Sequence, residues 1–168
     1  MIRPVRCADA AAVCDIYNYY VENTAITFDE TPAMAEAMED HIREITAHFP
    51  WFVWEEGGEI LGYASIHPWK ERTAYRFSTE DSIYIKQGFQ GRGMGKQLLT
   101  RLLEEIKKTD IHTVVAGITI PNEKSIGLHE KFGFKKIAQF PEIGYKLGKW
   151  LDVGYWELIL PCSSGEIP

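Results

Sequence analysis

The run Gln90-Gly91-Arg92-Gly93-Met94-Gly95 follows the apolar stretch Ser82-Ile83-Tyr84-Ile85 and leads into Lys96-Gln97-Leu98-Leu99-Thr100-Arg101-Leu102-Leu103. Glycines at alternate positions remove Cβ atoms where a strand hands over to a helix. Without side chains, the backbone N–H groups of such a turn can converge on one small volume and approach an anion closely. The helix that follows adds its unpaired first-turn N–H groups and the positive end of its dipole. The stretch reads as a cradle for a pyrophosphate.

Two other phosphate loops do not fit. A P-loop needs Gly, four residues, then Gly-Lys-Ser/Thr, but Gln90 stands at the first Gly and Gln97 follows the Lys. The dinucleotide pattern Gly-x-Gly-x-x-Gly fails in both frames, where Lys96 and Leu98 replace the third Gly. Gln/Arg-x-x-Gly-x-Gly fits through Gln90, Gly93 and Gly95, and this resembles the acetyl-CoA pyrophosphate loop of the GNAT N-acetyltransferases. The resemblance implies cofactor contacts from Gln90, Gly91, Arg92, Gly93, Met94, Gly95 and Lys96. The loop alone is equally a glycine-rich turn before a helix, so the rest of the chain has to agree.

The chain has 168 residues, 45% hydrophobic and 25% charged, with a net charge of −6. That is the size and balance of one soluble domain. No clustered basic face is visible, which argues against nucleic acid. Cys7, Cys14 and Cys162 cannot all pair and show no metal-ligand spacing, so no metal is expected and a reduced cytoplasmic setting is. The start lacks the apolar core of a signal peptide, and no segment approaches ~20 consecutive apolar residues, so no membrane span is expected.

Apolar spacing gives the element order. A strand at Ile2–Val5 leads to Asp9 as N-cap of a helix carrying Val13, Ile16, Tyr17, Tyr20 and Val21; Thr31-Pro32 opens a second, with Met34, Met38, Ile42 and Ile45 on its apolar face. Trp51–Glu55 and Ile60–Ile66 form a hairpin about Gly57-Gly58. Then come the strand 82–86, the glycine loop, a helix through Ile106, the strand Thr113–Ile118, a helix from about Asn122 to Phe132 ended by Gly133, and strands Phe134–Gln139 and Val153–Leu160. The order β-α-α-β-β-β-α-β-α-β-β predicts an α/β protein of α+β type, a mixed central sheet with helices on both faces. It resembles the GNAT fold over about residues 1–160, read as one domain, with 161–168 expected as a disordered tail.

Moving an acetyl group from a thioester to an amine requires the amine to be deprotonated, the oxyanion stabilised and the leaving thiolate protonated. The resemblance puts backbone groups of Ile83, Tyr84 and Ile85 on the pantetheine arm, and cofactor contacts at Asn122 and Ser125. Asn122 is also a natural helix N-cap. Glu80 is the candidate base, and strand alternation turns Glu80, Ser82 and Tyr84 to one face and Asp81 to the other. A solvated charge before a strand is its other reading. His129 stands where many GNAT enzymes carry a Tyr that protonates the thiolate; it is either that acid or a half-buried helix histidine bonded to backbone.

The string Ser125-Ile126-Gly127-Leu128-His129-Glu130-Lys131-Phe132-Gly133-Phe134 is similar to the phosphinothricin acetyltransferase branch of the family. Ile16–Val21 with Thr27-Phe28, Arg72–Arg76 and Gly148–Trp156 agree with it. This resemblance implies acetylation of the α-amine of phosphinothricin, methionine sulfoximine or methionine sulfone, by direct attack in a ternary complex with acetyl-CoA. Arg72 and Arg76 are candidates for the substrate's anionic groups, and Phe28, Trp69 and Tyr75 for aromatic walls, against plain readings as solvated Arg and core aromatics. A homodimer is expected from the branch and from exposed Leu and Trp in Tyr145–Leu151. The competing functions are acetylation of another amine (polyamine, aminoglycoside or protein N-terminus) and a non-catalytic acyl-CoA binding module.

Overall fold

The computed structural model describes residues 1–161; the expected tail at 162–168, with Cys162, lies outside the described residues. Eleven main elements follow in the expected order: β1 (Ile2–Pro4), α1 (Ala10–Asn23), α2 (Ala35–Thr46), β2 (Trp51–Glu56), β3 (Glu59–Pro68), β4 (Ser78–Ile85), α3 (Met94–Ile106), β5 (Thr113–Ile120), α4 (Glu123–Lys131), β6 (Lys135–Lys146) and β7 (Lys149–Ile159). The strands form one sheet in the order β1-β2-β3-β4-β5-β7-β6. Among the described residues only β4 and β5 run parallel.

Alternation sorts the sheet's residues between two cores. Trp51, Val53 and Tyr63 pack with α1 and α2 through Val13, Ile16, Ile42 and Ile45. Phe52, Ala64 and Ile66 face the other way, onto Leu98, Leu99, Leu102 and Ile106 of α3. The Gly57-Gly58 turn has positive φ at both residues, as a two-residue hairpin between right-twisted strands requires.

Three local expectations are corrected and one is refined. The second helix starts at Ala35, not at Thr31-Pro32, because Asn18 binds both backbone groups of Ala33 (2.8 and 2.9 Å) and holds that residue outside the helix. Asp9 is the N-cap residue of α1, as expected, but its side chain makes no capping bond there; the carboxylate accepts instead from Arg3 (2.7 and 2.8 Å) and from the Arg6 N–H (2.8 Å). Strand β4 begins at Ser78, four residues earlier than its apolar run suggests, because Thr79 and Glu80 pair with Pro68 and His67. The closing strands are longer than expected and meet at Leu147-Gly148, both with positive φ, so Tyr145–Leu151 is the tip of a β-hairpin.

Candidate active site

Strands β4 and β5 are paired only from Ser78 to Glu80 against Thr113 to Val115. Beyond that point they part. Asp81–Ile85 keep β3 on one side and, among the described residues, have no strand partner on the other. Backbone N–H and C=O groups along that edge need partners from elsewhere. The parting strands, the glycine loop, α4 and the α1–α2 connection enclose a cavity of about 1020 Å³. That is the upper end of the roughly 300–1,000 Å³ usual for small-molecule sites.

Glycine geometry shapes one end. Gly91 and Gly93 lie at φ +81° and +80°, in the left-handed region that side-chain-bearing residues resist, and Gly93 caps the N-terminus of α3. The loop therefore turns straight into the helix with the helix's first N–H groups facing the cavity end. Gln90 buckles the loop internally. Its side-chain amide donates to the Tyr20 hydroxyl (3.2 Å) and Gln87 Oε1 (3.0 Å), and its oxygen accepts from the Gly88 N–H (3.0 Å). Of the residues expected on a cofactor, Ile83, Tyr84, Ile85, Gln90, Gly91, Gly93, Gly95, Lys96, Asn122 and Ser125 line the cavity. Arg92 instead packs over the Phe89 ring, and Met94 is buried in the core. Asn122 is the N-cap of α4, accepting from the Ser125 N–H at 3.2 Å.

Glu80 sits where β4 and β5 separate. Burial raises the pKa of its carboxyl above the ordinary carboxylate value, assisted by the neighbouring Asp81 charge and opposed by His67, the Gly117 N–H and Lys70. His67 is its cross-strand partner on β3, and directly opposed side chains share a face. A Cβ on Gly117 would lie 2.6 Å from Glu80 Oε1. This strand glycine makes room for the carboxylate and donates to it. A partly buried carboxyl with a raised pKa, open to a cavity, is suited to take a proton from an ammonium group.

On the opposite face of β4, Asp81 reaches His129 of α4: Nε2 lies 2.9 Å from Oδ2, and Nδ1 lies 2.8 Å from the Ser125 carbonyl. Burial lowers the imidazole pKa, but the hydrogen bond and charge of Asp81 outweigh it and the net shift is upward.

The acceptor side is assembled from distant segments. Tyr17 bonds Thr27 (2.9 Å) and Asp29 (2.5 Å), its own hydroxyl pushed up to about 12 by burial. The buried Lys146 ammonium donates to the Thr27 carbonyl at 2.8 Å. The Phe28 ring lies where a Cβ on Gly144 would be. A bulge in β6 between Phe140 and Gly144, held by Asp152 accepting from the Glu142 N–H, brings Ile143 to the cavity. Among the residues expected on the acceptor, Phe28 lines the cavity. Trp69 stands behind the lining residue Tyr155, edge to face at 5.5 Å. Arg72, Tyr75 and Arg76 lie on the exposed turn joining β3 to β4, with Arg76 over the Phe77 ring. The sequence reading missed His67, Gly117, Lys146 and Tyr155. Gly117, a lone glycine inside a β-branched strand, was the one legible signal.

Residues 14–134 match the acetyltransferase (GNAT) family. The chain is 38% identical over 156 residues to the phosphinothricin N-acetyltransferase of Streptomyces viridochromogenes, covering 93% of this chain and 85% of that one. It is 38% identical over 154 residues to the L-methionine sulfoximine/L-methionine sulfone acetyltransferase of Salmonella typhimurium, covering 91% and 90%. The crystal structure of a GNAT superfamily phosphinothricin acetyltransferase from Sinorhizobium meliloti, in complex with AcCoA, superposes with a TM-score of 0.92 at 32% identity over 100% of this chain and 95% of that one. Parted strands, a glycine cradle at a helix N-terminus and these likenesses lead to one assignment: the chain belongs to the GNAT family and is an acetyl-CoA-dependent N-acetyltransferase.

Proposed function

We propose that the enzyme acetylates the α-amine of a small amino-acid analogue of the phosphinothricin or methionine sulfoximine type, with Glu80 as general base. The partly buried Glu80 carboxylate, at the point where the two walls of the cavity part, carries this reading. The substrate ammonium gives one proton to Glu80, directly or through a water. The freed nitrogen then attacks the acetyl carbonyl carbon, the N–C bond forms and the C–S bond breaks. Over the cycle one proton goes to the sulfur and one reaches solvent through Glu80. The unpaired edge of β4 supplies N–H groups for the developing oxyanion and for the pantetheine amides, and the loop from Gln90 to Lys96 supplies them for the pyrophosphate.

Arg72 and Arg76, on the exposed turn that leads into the base-bearing strand, stand outside the cavity lining and would meet the substrate's carboxylate and polar head only at its rim. An anionic acceptor favours them over an acidic groove suited to a polyamine. Residues 1–160 act as one domain, in the cytoplasm. The molecule is a homodimer through the apolar strip of Ile137, Phe140, Tyr145, Leu147 and Trp150 on the edge strand β6 and its hairpin, all largely exposed. Coenzyme A release measured over a panel of amino acids, their phosphinic and sulfoximine analogues, a polyamine and an N-terminal peptide tests the substrate. Turnover confined to polyamine or peptide sinks it, and a monomeric mass in light scattering at micromolar concentration sinks the dimer.

A further inference from the structure

We propose that Asp81 and His129 form a proton-bridged positioning pair that holds α4 against β4 and so sets the gap in which the thioester lies. This rests on reading the cavity as an acetyl-transfer site, and it gives a role to Asp81.

Counting protons on the ring comes first. His129 Nδ1 faces the Ser125 carbonyl at 2.8 Å, and a carbonyl only accepts, so Nδ1 carries a hydrogen. Nε2 faces a carboxylate oxygen at 2.9 Å. Two lone pairs cannot share that contact, so one further proton lies between the ring and Asp81. Both nitrogens are therefore engaged, and the ring edge also packs on Phe134 (centroids 5.0 Å apart, 84° between planes). Asp81 and His129 both line the cavity, but the bridging proton is held between Nε2 and Asp81 Oδ2. It stays with the pair through turnover, and the departing sulfur draws its proton from solvent.

The place of the pair in the fold gives it a task. Ladder hydrogen bonds between β4 and β5 stop at Glu80. Asp81, the next residue, faces the other side of the sheet and joins α4, the helix that follows β5. The side-chain bridge thus takes over where the backbone ladder ends. Asp81 Oδ1 is buried with no hydrogen-bond partner among the described residues, so His129 is the donor that keeps this carboxylate in place. The charged groups nearby are Glu80 on the far face of β4, Lys124 and Lys131 on α4, which line the cavity, and Glu130, which accepts from Trp156 Nε1.

The test compares Asp81→Asn with Asp81→Ala. Asn can donate to a neutral Nε2 and so preserves the strut while removing the bridging proton. Nitrogen-15 NMR of labelled histidine should show both His129 nitrogens protonated at pH 7–8 in the wild type, and Nδ1 alone in Asp81→Asn. Asp81→Asn should keep kcat within about threefold and move the acid limb of the pH profile slightly lower, because the Asp81 charge assists the raised pKa of Glu80. Asp81→Ala should weaken acetyl-CoA binding in calorimetry by about tenfold or more, beyond its effect on kcat. A singly protonated His129 in the wild type overturns the proposal. So does a loss of about a hundredfold in kcat in Asp81→Asn with unchanged acetyl-CoA affinity, the result expected if His129 delivers its proton to the thiolate. If Asp81→Ala does not fold, the Asn variant and the NMR still decide. Absence of turnover with every amine would defeat the functional reading alone, since NMR and calorimetry report on the pair without chemistry.

Discussion

The two ends of the cavity are built on different principles. The cofactor end is made of backbone: glycines at positive φ, a helix N-terminus and a strand edge without a partner. The acceptor end is made of side chains from the α1–α2 connection, His67 of β3, Tyr155 of β7 and the β6 bulge, tied by single contacts such as Lys146 to Thr27. Backbone recognition depends on conformation and holds for any ligand with the same phosphates. Side-chain recognition depends on identities at scattered positions, and it can be rewritten without disturbing the fold.

The base at the seam between them gives the largest expected effect. Glu80→Gln should lower kcat/KM by about 10²–10⁴ with acetyl-CoA affinity unchanged. Because the folded pKa is raised by burial, the acid limb of the rate profile should lie above the usual carboxylate range. It should move higher still in His67→Ala, since His67 opposes the shift. The sign for stability is the reverse of that for activity. A carboxyl whose pKa rises on folding contributes stability that is lost as pH rises through the folded value, so Glu80→Gln should be more stable than wild type at neutral and alkaline pH and equal to it in acid. A variant with wild-type turnover and an unmoved pH profile would make Glu80 structural.

The next largest effect belongs to the cofactor end. At φ +80° with nothing within 4 Å of an added Cβ, Gly93 is held by conformation and not by crowding. A β-branched residue there costs on the order of 1–2 kcal/mol of backbone strain. Gly93→Val should thus bind acetyl-CoA about tenfold or more weakly in calorimetry while leaving the amine KM alone. Unchanged affinity in a folded Gly93→Val protein would remove the pyrophosphate from this loop.

This contrast also explains what the sequence made legible. Gly91, Gly93 and Gly95 announce a backbone requirement at alternate positions of one short run, and the element order follows from apolar periods of two and 3.6. Glu80 could be placed on a face by alternation alone. His67 and Lys146 could not, because each acquires its role from a strand register or hairpin bulge that brings together residues 13 and 119 positions apart. The start of α2 was missed for the same reason. Thr31-Pro32 is a good local start, yet Asn18 overrides it by binding Ala33. Where a tertiary hydrogen bond competes with a local signal, the sequence shows only the signal.

At the acceptor end the expected effects are smaller and more selective. Lys146 is buried, and burial draws its pKa down against the opposing charges of Asp29 and Glu30. Its bond to the Thr27 carbonyl is a charged hydrogen bond, worth about 1.5–3 kcal/mol in such settings. Only part of that reaches the substrate through Phe28, so Lys146→Met should raise the amine KM by about threefold to tenfold and leave acetyl-CoA binding unchanged. An equal loss at both ends would show that the two halves are mechanically coupled.

The smallest effect expected is none, and it tests whether the two halves meet directly. If both substrates are held side by side at the seam, the acetyl group passes straight from sulfur to nitrogen. A covalent detour needs a nucleophile within reach, and the natural candidate is a thiol. Cys14 is buried in α1, with its Sγ 3.1 Å from the Ala33 carbonyl, and Cys7 lies on the 3₁₀ turn before that helix. Neither lines the cavity. Replacing Cys7, Cys14 and Cys162 together with Ser should leave kcat within about twofold, since a hydroxyl at position 14 can make the same bond to Ala33. Mass spectrometry during turnover should find no acetylated enzyme. An acetylated species that forms and decays at the rate of product formation would show that the halves act in sequence through the protein and not face to face.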